Sequence, residues 1–274
     1  DWYAEHHIKL HMGKAITQID RIRRVVMADD GSEAPYDRLL LATGSTPFML
    51  PIPGAELNGV ISYRDIYDTE AMIAAAKVKK TAVVIGGGLL GLEAANGLML
   101  RGMDVSVVHL GDWLLDRQLD VTAGKMLENS LIERGLRFLL GHATAAISGN
   151  DAGEVTGVRF KDGSEVAADL VVMAVGIRPN TALAEAAGLH CKNGIVVSDA
   201  LQTYDPRIYA VGECVNHRGT AYGLVAPLFE MAKVAANHLA LMGYGQYKGS
   251  VLSTKLKVTG IDLFSAGDFM GGGE

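Results

Sequence analysis

Two cysteines in 274 residues, Cys191 and Cys214, are too few for a disulfide framework. Their spacing is not that of a Cys-x-x-Cys redox pair either, and they read as reduced thiols of a cytoplasmic protein. No apolar run is long enough to span a bilayer; the stretch 169–177 is about half of what a crossing requires. Lysine and arginine form no long basic run, and the formal net charge is -6, so neutralising a nucleic-acid backbone is disfavoured. The first residues, Asp1-Trp2-Tyr3-Ala4-Glu5, do not read as a signal peptide. Tandem repeats and low-complexity tracts are missing as well. His6, His7 and His11 lack partners at metal-ligand spacing and read as surface histidines, so no metal is expected. The run Gly271–Gly273 is framed by no strand or helix and reads as a tail rather than a phosphate loop.

Apolar residues make up 49% of the chain and charged residues 20%, enough to build a core and to argue against disorder. The most informative stretch is Ala82-Val83-Val84-Ile85-Gly86-Gly87-Gly88-Leu89-Leu90-Gly91-Leu92-Glu93-Ala94-Ala95. A β-branched run leads into Gly86, Gly88 and Gly91 in G-x-G-x-x-G spacing. A helical run follows, and then a second strand, 104–109. This is the dinucleotide-binding fingerprint in its required context of strand, turn, helix and strand. Gly86 permits the turn, Gly88 lets the backbone approach a diphosphate, and Gly91 and Ala95 let the helix sit close on the sheet. The helix N-terminus, with Leu89 and Leu90 in its first turn, then favours the phosphate charge.

Around this unit the chain alternates. Residues 7–43 read as β-rich, with a hairpin turn at Asp29-Asp30-Gly31 and a strand at 39–43 buried on both faces. Ser45-Thr46-Pro47 and Pro51-Ile52-Pro53-Gly54 should break regular structure at a domain crossing. Asp68 is expected to cap a helix to about Lys77. Helix 121–134, strand 136–140, a hairpin over 155–166 and a buried strand at 170–176 complete a parallel α/β pattern. Short strands at 194–197 and 207–212, a long helix at 226–241 opening near Pro227, and a β segment at 251–265 follow.

Two strings are related. Leu41-Ala42-Thr43-Gly44-Ser45-Thr46-Pro47 and Met173-Ala174-Val175-Gly176-Ile177-Arg178-Pro179 are both strands ending in glycine, with proline three residues later. This doubled pattern flanking the fingerprint resembles the two-dinucleotide flavoprotein reductases. The string Thr203 to Cys214 looks like their second FAD motif, with Glu213 in place of the usual Asp. Together with Gln118-Leu119-Asp120, Gly223-Leu224-Val225-Ala226-Pro227 and Lys255-Leu256-Lys257, these strings are similar to the N-terminal flavin region of assimilatory NAD(P)H nitrite reductase large subunits.

The resemblance implies an α/β, two-dinucleotide-binding flavoprotein fold: Rossmann-like, a parallel sheet with helices on both faces plus a β-meander. It implies a discontinuous, partial FAD-binding domain at 1–66 and 191–250, an NAD(P)-binding domain at 67–190, and the start of a truncated C-terminal segment at 251–274. A first FAD βαβ unit with its own G-x-G-x-x-G is expected to be missing, which makes the chain an internal fragment with an exposed sheet edge and a tendency to self-associate. FAD would be touched by Ala15, Ala42, Thr43, Gly44, Gly212, Glu213 and Ala226. NAD(P)H would be held by Gly86, Gly88, Leu89, Leu90, Gly91, His109, Gly176 and Ile177. His109 falls about 20 residues past the first glycine, where NAD-specific proteins carry an acid, and would tolerate NADPH. Glu93 is the candidate catalytic residue near the nicotinamide; the alternative is a helix-start acid favoured by the dipole.

The implied activity is hydride transfer from NAD(P)H to FAD, with electrons passed on to reduce nitrite to ammonia. Iron–sulfur and sirohaem modules, or a small subunit, would belong to the rest of the parent, since two cysteines cannot ligate them. A homo-oligomer is a further possibility, and neither nucleic acid nor membrane is an expected partner. The competing readings are a ferredoxin- or rubredoxin-type NAD(P)H reductase and a dinucleotide-binding fragment without turnover.

Overall fold

Strand–helix alternation in the middle of the chain builds a single parallel sheet, and the glycine-rich turns on either side hand the chain to a second body. The computed structural model describes residues 1–258 and 260–268, so the run Gly271–Gly273 lies outside the described residues. The chain forms two compact units, one of residues 1–45 and 178–250, the other of residues 46–177 and 251–274.

In chain order, the first unit opens with helix α1 (Trp2–Glu5) and strands β1 (Ile16–Asp20), β2 (Val25–Ala28), β3 (Glu33–Pro35) and β4 (Leu39–Leu41). Strand β5 (Ser45–Pro47) crosses into the second unit. That unit continues with β6 (Val60–Ser62), α2 (Ile66–Ala76), β7 (Thr81–Ile85), α3 (Leu89–Met99), β8 (Asp104–His109), α4 (Val121–Ile132) and β9 (Arg137–Leu140). Strands β10 (Thr144–Gly149), β11 (Val155–Phe160), β12 (Glu165–Ala167) and β13 (Leu170–Met173) follow. Strand β14 (Ile177–Pro179) leads back to α5 (Ala182–Ala186), β15 (Ile195–Val197), β16 (Ile208–Ala210), β17 (Val215–His217), β18 (Thr220–Ala221) and α6 (Val225–Leu239). Strands β19 (Ser253–Lys255) and β20 (Phe264–Ala266) return to the second unit.

The second unit's sheet has the order β6-β13-β7-β8-β9, and its pairings are parallel. From β7 the chain runs outward through β8 and β9, then returns to β13 on the other side. Order therefore reverses beside β7, and the crevice at such a reversal is where open α/β sheets bind ligands. One face of the sheet, through Ala82, Val84, Val105, Val107, Leu170 and Val172, packs on Met72 of α2, Leu92 and Leu98 of α3, and Leu127 and Leu131 of α4. The opposite face, through Val83, Ile85, Val108, Val171 and Met173, packs on Ile147, Val158 and Phe160 of the β10-β11-β12 meander. The parallel α/β sheet and the meander match the sequence expectation, but helices do not cover both faces of this sheet: they share one face, and the meander packs on the other. Leu256 and Val258 join the helical side.

In the first unit, β4 and β16 form a parallel pair and β15-β17-β18 a small sheet. Ile208, Ala210, Leu41, Cys214 and Met231 lie in its core. A buried polar knot adds to it. His217 is 1% exposed, and its Nε2 lies 2.9 Å from Asp199 Oδ1. Asp199 also accepts from Arg218, and its backbone carbonyl accepts from Tyr247 N–H at 2.8 Å.

Several local expectations change. Burial on both faces fails at β4, because Leu40 at the outer edge of its two-stranded ribbon is 42% exposed. Ser45–Pro47 is a strand rather than a break, since a residue preceding proline is pushed into extended backbone. Asp65, not Asp68, caps α2; Asp68 is the third residue of a capping box and bonds back to the cap's N–H. Helix α6 starts at Val225, so Pro227 stands third, still ahead of the first N–H that must bond within the helix. Residues 8–12 form no strand, and α1 precedes them. The unit borders fall at 45/46 and 177/178, whereas the sequence places domain borders at 66/67 and 190/191; β6 is a rung of the parallel sheet and so draws 46–66 to the second unit.

Leu98 is fully buried against both sheet and helices. Leu98→Ala should cost about 2–5 kcal/mol of unfolding free energy in a urea titration. Asp199 has its pKa lowered to about 2 from an ordinary 3.8 by hydrogen bonds from Arg218 and His217. Its contribution is whole above the ordinary value and is lost as pH falls toward 2. Asp199→Asn should therefore flatten the dependence of Tm on pH in that window.

Candidate functional site

The fingerprint turn is held from three sides. Gly86 takes a φ of +123°, and its N–H donates to Val108 O at 2.8 Å. A side chain at Gly86 would meet Ala174 O at 2.2 Å, and one at Gly91 would meet Gly86 O at 1.8 Å. Glycine at these positions is thus imposed by close backbone approach. Gly88 differs: its φ is -84°, and a Cβ there would meet nothing within 4 Å. The bare position faces open space, which is the cradle that a diphosphate needs.

Helix capping separates this helix from its neighbours. Among the described helices of eight residues or more, α2 and α4 begin on Asp65 and Asp120, whose carboxylates accept first-turn N–H groups. Helices α3 and α6 begin on Gly88 and Leu224 with no side-chain cap. Their first-turn donors, including Leu89, Leu90 and Ala226, therefore have a positive dipole end and no carboxylate to satisfy it.

His109 ends β8 and turns its ring onto the turn: Nδ1 accepts from Gly87 N–H at 3.2 Å. Leu115 N–H donates to Gly87 O at 3.0 Å, so both backbone polar groups of Gly87 are engaged. Ala174 N–H donates to Ile85 O, which sets the 174–176 segment beside the turn; Gly176 has a φ of +117°, open space at its Cβ position, and a carbonyl accepting from Phe48. The structure therefore assembles Gly86, Gly88, Leu89, Leu90, Gly91, His109, Gly176 and the adjoining Ile177 at one end of the parallel sheet.

Glu93 is the fifth residue of α3, past the first turn. Its Oε1 accepts from the backbone N–H of Lys257 at 3.2 Å. Burial and the Glu93 charge push the Tyr63 hydroxyl pKa up. These contacts tie the carboxylate to the segment that leaves β19.

The first unit brings together a second set. Parallel pairing of β4 with β16, extended by Val211 N–H to Leu41 O, sets Ala42-Thr43-Gly44 beside Gly212-Glu213. Gly44 and Gly212 both take positive φ and have open Cβ positions. Ser45 Oγ donates to Glu213 Oε2 at 2.7 Å. Ala15 lies outside this set: its backbone pairs with Asp29 in the β1-β2 hairpin. Cys214 is buried beneath, donating to Val211 O.

Sequence reasoning missed four contributors. Asn180 donates through its amide to Thr43 O, accepts from Thr43 Oγ1 at its carbonyl, and donates its N–H to Gly44 O. It stands immediately after the second strand-Gly-x-x-Pro string, one residue beyond where that motif was read. Ser45 lay inside the first strand-Gly-x-x-Pro string without being singled out, and Leu115 and Asp116 carried no motif of their own. Among the described residues, no group of three or more His, Cys, Asp or Glu could hold a metal, and no helix is long and apolar enough to cross a membrane.

The pyridine nucleotide-disulphide oxidoreductase family matches residues 3–238. The chain belongs to that family. It is 56% identical over 269 residues to the nitrite reductase [NAD(P)H] of Bacillus subtilis (strain 168), covering 98% of this chain and 33% of that protein. It is 48% identical over 267 residues to the assimilatory nitrate reductase electron transfer subunit of the same organism, covering 97% of this chain and 34% of that one. It therefore spans about a third of the length of these relatives. A covalent putidaredoxin reductase–putidaredoxin complex shares its fold, with a TM-score of 0.89 and 31% identity over 97% of this chain and 66% of that one. An oxidoreductase fold of this family, with open glycine positions in both units, is thus shown by sequence and by shape.

Gly91→Ala places a methyl group 1.8 Å from a backbone oxygen that cannot step aside. It should destabilise the second unit by about 3 kcal/mol or more, read as a lowered urea midpoint.

Proposed function

We propose that this chain is the flavin-containing electron-entry region of an NAD(P)H nitrite reductase, taking a hydride from NAD(P)H onto FAD and passing electrons on for reduction of nitrite to ammonia in nitrate assimilation. The observation that carries this reading is the fingerprint turn: an uncapped α3, an open Cβ position at Gly88, and closed positions at Gly86, Gly87 and Gly91. The 56% identity to a nitrite reductase, against 31% to the putidaredoxin reductase, favours the nitrite-reductase branch.

In this reading the backbone from Gly86 to Gly91 and the first-turn N–H groups of Leu89 and Leu90 bind the nicotinamide dinucleotide. Gly176 and Ile177 approach its nicotinamide half, and Glu93 supplies an acid there. Ala42, Thr43, Gly44, Gly212 and Glu213, with the α6 N-terminus at Ala226 and the hairpin backbone at Ala15, bind FAD. The residues present fit both groups: each set has open positions lined by backbone donors, and Glu213 offers an oriented carboxylate acceptor. When bound, FAD supplies the hydride acceptor and the one-electron donor. Iron–sulfur and sirohaem centres are assigned to other modules or a small subunit of the longer, cytoplasmic parent, which we take to act as an oligomer.

Gly88→Ala separates binding from folding. Alanine is free to adopt this backbone and meets no atom, so Tm should stay within the range of a neutral surface change. Affinity for NADH, measured by nucleotide fluorescence, should fall by roughly tenfold or more as the cradle fills. Purified with added FAD, the native chain should show bound-flavin absorbance and NADH-dependent dye reduction. A chain that binds neither nucleotide would overturn the proposal.

A further inference from the structure

Strand β8 ends on an imidazole where the dinucleotide pattern places a carboxylate. That imidazole is already engaged. Because Nδ1 of His109 accepts from Gly87 N–H, the neutral ring carries its proton on Nε2. Nε2 is buried and has no hydrogen-bond partner. Asp116 Oδ2 lies 3.6 Å from it, about half an ångström beyond a good hydrogen bond. The Asp116 side chain is 38% exposed, so its carboxylate can meet a ligand as well as the ring.

The loop after β8 is built to deliver this charge. Leu114 and Leu115 are fully buried, and Leu115 takes a left-handed φ of +53° while bonding to Gly87 O. That turn swings Asp116 back toward the strand end. Gly111 keeps the approach clear: a Cβ there would lie 2.8 Å from both His109 Nε2 and Asp116 Oδ2. Arg137 is held by Asp104 at 2.8 Å and by Ser106, and Arg117 follows Asp116 on the exposed surface.

We propose that Asp116, steered by His109, sets the cofactor preference of this site: its carboxylate accepts from the ribose hydroxyls of NADH and repels the 2′-phosphate of NADPH. The inference rests on the nucleotide site proposed at Gly86–Gly91. It reverses the sequence expectation that His109 removes the repelling charge, because the charge returns from a residue that pattern spacing does not reach. A doubly charged phosphate within a few ångströms of a carboxylate is strongly disfavoured near a protein surface.

The test is equilibrium binding of NADH and of NADPH to the full chain, followed by nucleotide fluorescence without turnover. The native chain should bind NADH roughly tenfold or more tightly than NADPH. Asp116→Asn should bring that ratio to within about threefold, chiefly by tightening NADPH, with Tm unchanged. Gly111→Ala, which keeps Asp116 but displaces its carboxylate, should narrow the ratio in the same direction. Arg117→Ala should leave the ratio as it is. Equal or tighter binding of NADPH by the native chain, or an unchanged ratio in Asp116→Asn, would overturn the assignment while leaving the nucleotide site standing. Absence of binding by either nucleotide would remove the site itself, and the selection with it.

Discussion

Helix α3 occupies its place because Gly91 has no side chain. The space between its Cα and the carbonyl of Gly86 is smaller than a methyl group, so the helix starts as close to the end of β7 as a backbone can come. Everything packed along the helix inherits that position. Leu92, Ala95 and Leu98 are wholly buried, and the sheet residues they meet, Val84 and Val107, are equally dry. The apolar burial that holds the second unit together and the aim of the helix N-terminus thus follow from one short approach. A larger residue at this position would spoil both, because the helix could not retreat without opening its own core.

Capping chemistry divides the long helices into two pairs. Asp65 and Asp120 satisfy first-turn donors and complement the local dipole, which is the stabilising arrangement for a helix with no other work. Helices α3 and α6 forgo it. A cap is worth about 1 kcal/mol, and leaving it out at these two long helices is intelligible where an external anion or polar group takes the place of the carboxylate.

Much of this was legible before any coordinates. The fingerprint, the meander hairpin around Lys161-Asp162-Gly163 and the buried strand from Leu170 follow from local pattern, and each lies where the pattern placed it. What escaped are facts of three-dimensional return. Burial on both faces was read from the apolar run at Leu39–Leu41, but Leu40 is exposed, since burial depends on which neighbour the strand finds. Asp68 looked like a cap because an acid before an apolar run usually is one; the capping box moves that role three residues back to Asp65. Asn180 and Leu115 act through contacts distant in sequence, to Thr43 and to Gly87, and no spacing rule announces them.

Both candidate sites are made mainly of backbone. Where a side chain does depart from pattern, a neighbour compensates. Glu213 stands where the resemblance to flavoprotein reductases expects aspartate, and its extra methylene adds a torsion that a free carboxylate would spend as conformational entropy. Ser45 removes that freedom by donating to Oε2 at 2.7 Å. Ser45 itself is placed by the Gly44 turn that Asn180 holds from the other side. The carboxylate is therefore held by a hydroxyl that lies outside the string Thr203 to Cys214. An aspartate at this position, lacking that methylene, would draw its carboxylate back from the hydroxyl that holds it, so the serine and the glutamate are best understood as a single adaptation of the motif.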